Sequence, residues 1–150
     1  WFIYLSQSVD SKGSNPLDPD RKLYYAKKMF PNFAKHFRSG PKDPVAILKE
    51  LQTEGYDDAM FVVGSDRVNA MKWVKNYNGK DFFFRKLDVI SSGDRDADGD
   101  TFAISGTKMR RAAVADDFDT FRKGIPKGLN DKDTRKMMEE IQSNMPKLYK

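Results

Sequence analysis

The chain has 150 residues, 39% hydrophobic, 33% charged and 13% aromatic, with no cysteine and a net charge of +5. This composition excludes a disordered chain and a disulfide scaffold, and no apolar run approaches the roughly 20 residues that cross a bilayer. Without thiols there is no Cys nucleophile or thiolate metal site, and the modest basic excess suits phosphate-bearing ligands without requiring nucleic acid.

Trp1 to Leu5 is an apolar run that reads as a buried strand, followed by an exposed loop, Val9 to Pro16, rich in Ser, Gly, Asn and Asp. A strand at the very start, with no Met before it, leads us to expect a piece of a longer polypeptide. Asp18-Pro19 supplies an N-cap and a first-turn proline for a helix that carries Leu23, Ala26, Lys27 and Phe30 at helical spacing and ends before Pro31. Asp43-Pro44 opens a second helix, with Val45, Ile47, Leu48 and Leu51 on one side and Gly55 as its C-terminal cap. The run Ala59 to Val63 reads as a fully buried strand ending at Gly64-Ser-Asp66, and Val68, Met71 and Val74 give the next helix its inner side. Phe82 to Phe84 and Leu87 to Ile90 form another strand or a bent pair. A polar loop, Ser91 to Asp100, leads to a helix starting at Ser105; Phe118, Phe121 and Ile125 continue helical packing, and Asp131 to Ser143 forms a last, polar helix.

Strands alternating with amphipathic helices predict an α/β fold, a Rossmann-like three-layer parallel sheet with helices on both faces. Ligands of such a sheet lie beyond the carboxyl ends of its strands, where the loops Ser6–Pro16, Gly64–Arg67 and Ser91–Ser105 are expected to gather.

The stretch Ile104-Ser-Gly-Thr-Lys-Met-Arg-Arg-Ala-Ala113 carries the strongest chemical signal. Ser105 is a good N-cap, Gly106 admits another molecule to the backbone, and Met109, Ala112 and Ala113 fit an inward face. A helix start presents N–H groups and partial positive charge, and Thr107, Lys108, Arg110 and Arg111 add hydroxyl and cationic donors suited to polyphosphate. The plainer reading is a capped helix with a solvated basic face. In Gly64-Ser-Asp-Arg67, Asp66 could accept hydrogen bonds from a ribose or a base amino group, or the segment is a tight strand-to-helix turn.

Other patterns carry less. Asp94-Arg-Asp-Ala-Asp-Gly99 imitates the opening of a calcium loop, but its twelfth position holds Ser105 instead of a bidentate Glu, so an acidic loop contributing at most weakly to magnesium binding is expected. His36 has no acidic or histidine neighbour, so neither a histidine metal cluster nor Ser/His/Asp chemistry is expected. Neither G-x-G-x-x-G nor G-x-x-x-x-G-K-[ST] occurs. Phe82-Phe-Phe84 beside Arg85 and Lys86 is either a base-stacking platform or ordinary core packing.

These loops in this order resemble the nucleotidyltransferase superfamily, which includes cytidylyltransferases and adenylyltransferases. Ile104-Ser-Gly-Thr-Lys-Met-Arg110 is similar to that family's I-S-S-T-x-I-R motif, with Gly106 in place of the second Ser, and Val62-Val-Gly-Ser-Asp66 resembles its G-x-D segment. Tyr4-Leu-Ser-Gln-Ser8, Lys27-Lys-Met-Phe-Pro31, Val62 to Val68 and Gly124-Ile-Pro126 are similar in wording to nucleotidyltransferase-like proteins of large tailed phages. The resemblance implies transfer of a nucleotidyl group from a nucleoside triphosphate such as ATP or CTP, with magnesium, to a phosphorylated small-molecule acceptor. It implies that Ser105, Thr107 and Arg110 hold the β and γ phosphates with Gly106 and Lys108 beside them. It places Gly64 and Asp66 near ribose or base, and Arg21 at the acceptor phosphate.

The family's H-x-G-H motif does not occur in these 150 residues, so the first βα unit is expected upstream of Trp1. The resemblance spans residues 1–126, leaving 127–150 as a C-terminal helix and basic tail. The expected setting is cytoplasmic (the host cytoplasm or the virion for a phage protein), with no membrane or nucleic-acid partner. The competing expectation is a phage structural or assembly protein that keeps the fold without turnover and binds capsid or scaffold proteins.

Overall fold

The computed structural model describes residues 1–10, 12–93 and 104–146. The chain divides into two compact units, Trp1–Gly40 with Ile104–Lys150, and Pro41–Ala103. Both mix helices with a small parallel sheet, which places the chain among α/β arrangements.

In the first unit, β1 (Ile3–Tyr4) pairs in parallel with β2 (Phe37–Arg38), joined through α1 (Pro19–Met29) and a 3-10 segment, Pro31–His36. A parallel pair needs such a crossover, because a tight turn cannot return the chain in the same direction. The expected buried strand at residues 1–5 is shorter, and Trp1 remains 67% exposed. The Asp18 side chain caps α1 by accepting from the Arg21 N–H, and Phe30 ends it before Pro31. Leu23 and Ala26 are half-buried while Lys27 and Phe30 lie exposed; Tyr25 is the residue α1 buries most deeply.

The other described elements of this unit are helices: α4 (Gly106–Val114), α5 (Phe118–Lys123) and α6 (Asp131–Asn144). Ala112, Ala113, Phe121, Leu129, Met138 and Ile141 form its core together with Tyr25. Polar by composition, α6 still buries Thr134, Met138 and Ile141, because these three fall on one helical face. It therefore packs against α4 and α5 as part of the core. Thr134 loses no hydrogen bond by burial, since its hydroxyl donates to the Asn130 carbonyl at 2.8 Å.

In the second unit, α2 (Pro44–Thr53) is capped by Asp43, buries Val45, Ile47 and Leu48, and ends at Gly55, whose φ of 100° suits a residue without Cβ. β3 (Asp58–Val63) pairs in parallel with β4 (Lys86–Ser91), Val62 opposite Ile90. Between them the chain forms a short α3 (Val68–Met71) and a 3-10 segment, Lys72–Tyr77, where one longer helix was expected. Ala59, Phe61, Leu87 and Val89 turn toward Leu48, Val74 and Phe82. The opposite face is not covered as the apolar sequence suggests: Met60, Val62 and Ile90 are 59%, 57% and 41% exposed. Successive strand residues alternate faces, so an all-apolar strand does not by itself show that both faces are covered. Phe82 and Phe84 are buried while Phe83 is exposed, so the Phe triplet forms no common stacking face.

Candidate phosphate-binding cleft

The site grows from two local structures within the first unit. The first is the start of α4, where the Ser105 hydroxyl accepts from the Lys108 N–H at 3.2 Å and fixes the first turn. Ser105, Gly106, Thr107 and Lys108 are all solvent-exposed, so this turn is open to a ligand. The other first-turn N–H groups of an α-helix have no acceptor within the helix, and the dipole there favours anions.

The second is the loop after β1. The Asp10 carboxylate accepts from the Lys12 and Ser14 N–H groups, both at 3.0 Å, and from the Asn15 side-chain amide at 2.7 Å. Those bonds, led by Asn15, hold its carboxyl below the usual carboxylate range. Gly13 takes φ 87°, and a Cβ there would stand 3.0 Å from the Pro146 ring and 3.1 Å from Met145 Cε. On the other side of the loop, the Lys22 ammonium donates to the Ser6 and Ser8 carbonyls at 3.1 and 2.7 Å.

Arg110 joins the two. Its guanidinium donates to the Ser14 carbonyl and to the Thr107 hydroxyl, each at 3.2 Å. It lies back over the first turn, so that a Cβ on Gly106 would be 2.9 Å from Nη1. The glycine in the family-like motif thus makes room for the chain's own arginine. Between loop and helix runs a cleft of about 490 Å³, walled by Lys12, Gly13 and Ser14 on one side and by Thr107, Arg110 and Arg111 on the other. Val114, Ala115 and Met145 line its remainder. Among the described residues, three cations and no carboxylate line it, and its size falls within the range of small-molecule sites.

Of the three loops expected to gather, Ser6–Pro16 belongs to unit one, and Ser91–Ser105 is divided between the units, with only Ile104 and Ser105, just before α4, in unit one. The third, Gly64–Arg67, belongs to the other unit. There the Ser65 N–H donates to the Gly93 carbonyl and the Ser92 N–H to the Val63 carbonyl, which ties the turns after β3 and β4 together. Asp66 folds toward Gly64, where an added Cβ would be 2.8 Å from its Oδ1. Asp94 to Ala103, including the calcium-like loop, lies outside the described residues.

Arg21 occupies α1, where its guanidinium donates to both oxygens of Glu140 at 3.2 and 2.7 Å and to the Tyr25 hydroxyl at 3.1 Å. Glu140 and then Tyr25 raise the guanidinium pKa, and burial pushes the Tyr25 phenol up to about 12. An acceptor phosphate at Arg21 would have to exchange with the Glu140 carboxylate. His36 is stacked on Trp1 with ring centroids 3.7 Å apart, and its Nδ1 lies 2.8 Å from the Trp1 carbonyl.

Among the described residues no three His, Cys, Asp or Glu side chains converge to hold a metal ion. Among the described residues the cleft offers cations and the hydroxyl residues Ser14 and Thr107, a donor set unsuited to magnesium, which prefers carboxylate oxygens and water. No helix among the described residues is long and apolar enough to cross a membrane.

Arg111 was read from the sequence as a cationic donor, whereas Lys12 and Met145 escaped that reading. The signal for Lys12 was Gly13 beside it in an Asp-anchored loop; nothing in the sequence linked Met145, 34 residues beyond Arg111 in the chain, to either. In comparisons with known proteins, no family model, curated protein or solved structure matches this chain.

Proposed function

We propose that the chain is a nucleotidyltransferase-like domain whose cleft along α4 binds the phosphate tail of a nucleoside triphosphate. The observation that carries this reading is the cationic wall of Lys12, Arg110 and Arg111 beside the open, Ser105-capped start of α4. Thr107 and Arg110 donate to the β and γ phosphates, with Ser105, Gly106 and Lys108 at the same turn. The phosphorylated acceptor attacks the α-phosphorus through one of its oxygens, the bond to the bridging oxygen breaks, and pyrophosphate leaves. Such transfer rests on positioning and charge neutralisation and needs no covalent nucleophile. Magnesium enters only as the counter-ion that the triphosphate brings.

The same reading takes the fold as Rossmann-like and three-layered. Its support is that β1–α1–β2 and β3–α3–β4 are both parallel strand pairs with helical crossovers, the repeating element of such folds.

Calorimetric titration with ATP, CTP, GTP and UTP tests the binding. Arg110→Ala is expected to weaken triphosphate affinity about tenfold or more, the scale of a charge-assisted hydrogen bond, and to lower the melting temperature modestly through loss of its bonds to the Ser14 carbonyl and the Thr107 hydroxyl. Equal affinity for variant and parent overturns the reading. A coupled pyrophosphate assay tests turnover, and tight binding without pyrophosphate release favours a non-catalytic role for the same cleft.

A further inference from the structure

We infer that the ligand of the α4 cleft is a phosphate ester with an apolar body, its phosphates near Lys12, Thr107 and Arg110 and its body on Val114, Ala115 and Met145. This rests on the phosphate reading above and adds which organic group the cleft accepts. Thr107, Arg110, Arg111, Val114 and Ala115 recur at spacings that place them on one flank of α4. The lining changes character along that flank, from hydroxyl and guanidinium in the first turns to methyl groups in the last. Eight residues separate Thr107 from Ala115, which at 1.5 Å per residue is roughly 12 Å.

The helix dipole sets the direction. Anions are favoured at the start of α4 and disfavoured at its end, so a ligand with one charged and one apolar end has one preferred orientation. The Met145 side chain is buried within the same wall, 5% exposed, and offers a thioether that adapts to an apolar surface. Ala115, by contrast, is exposed at the C-terminal cap of the helix, where a larger side chain fills the cleft without entering the core.

The test uses the whole chain and three probes, inorganic tripolyphosphate, butyl phosphate and octyl phosphate, titrated by calorimetry. Octyl phosphate is expected to bind at least tenfold more tightly than butyl phosphate, because its four extra methylenes leave water. Ala115→Trp is expected to abolish that gain and leave tripolyphosphate affinity unchanged; Ala115→Glu serves as the second variant if the Trp form does not fold. Equal affinities for the two alkyl phosphates overturn the inference, as does a gain that persists in Ala115→Trp. Failure of tripolyphosphate to bind, with the Ala115-dependent gain intact, would remove the triphosphate reading and leave the apolar floor standing.

Discussion

Arg110 shows how one side chain can be both structural and ligand-directed. It holds the Ser14 carbonyl and the Thr107 hydroxyl, and it also lines the cleft. A planar cation with five N–H donors can do this, whereas a lysine ammonium could not keep both partners at once. Asp10 plays the matching part in the loop. Its carboxyl titrates below the usual range in the folded chain, so its stabilisation is present above the unfolded value of about 3.9 and is lost as pH falls through the lower folded value. The Ser14 amide proton, followed by NMR, is expected to shift in one acid step with its midpoint below that ordinary value. In Asp10→Asn the step is expected to vanish. A midpoint at or above 3.9 would show that the loop does not favour the carboxylate.

At the scale of elements, caps and core contribute unequally. Asn130 caps α6 by accepting from the Asp133 N–H at 2.7 Å, and Met138 is fully buried on the same helix. Asn130→Ala is expected to cost about 1 kcal/mol, and Met138→Ala about 2–5 kcal/mol, because removing the thioether chain leaves a cavity among Ala113, Phe121 and Leu129. Urea unfolding measures both. A larger loss for the cap than for the core would mean that α6 is held mainly by its own first turn. The ion pair between Arg21 of α1 and Glu140 of α6 adds direction to this packing, since its two-point geometry fixes how the helices meet.

For the whole molecule, the two units have separate cores. One gathers Tyr25, Ala113, Phe121 and Met138; the other Leu48, Val74, Phe82 and Leu87. Phe82, with no exposed surface, fills the second. Phe82→Ala is expected to destabilise that unit by about 3–5 kcal/mol. Amide-exchange protection should fall in α2, β3 and β4 and persist in α6. An equal fall in α6 would mean that the two cores unfold as one.

Much of this was legible beforehand. Asp18-Pro19, Asp43-Pro44 and Ser105 announced their helices because an N-cap acts through its own neighbours, within three residues. Ala112 and Ala113 were legible as an inward face for the same reason of local spacing. The burial of Tyr25 was not, because its hydroxyl needs Arg21, and Arg21 in turn is set by Glu140, 119 residues away. Nor was the exposed face of β3, since the same run of apolar residues fits a strand covered on one side or on both.

The sequence by itself determined the helix starts, the alternation of helices with apolar strands, and the basic motif at Ser105, all of which depend on residues close together in the chain. Only the tertiary structure decided which cations stand together. Lys12 and Arg110 are joined through a loop shaped by Asp10 and Gly13 and seated on Met145, and such contacts depend on chain closure over long separations that no local pattern encodes.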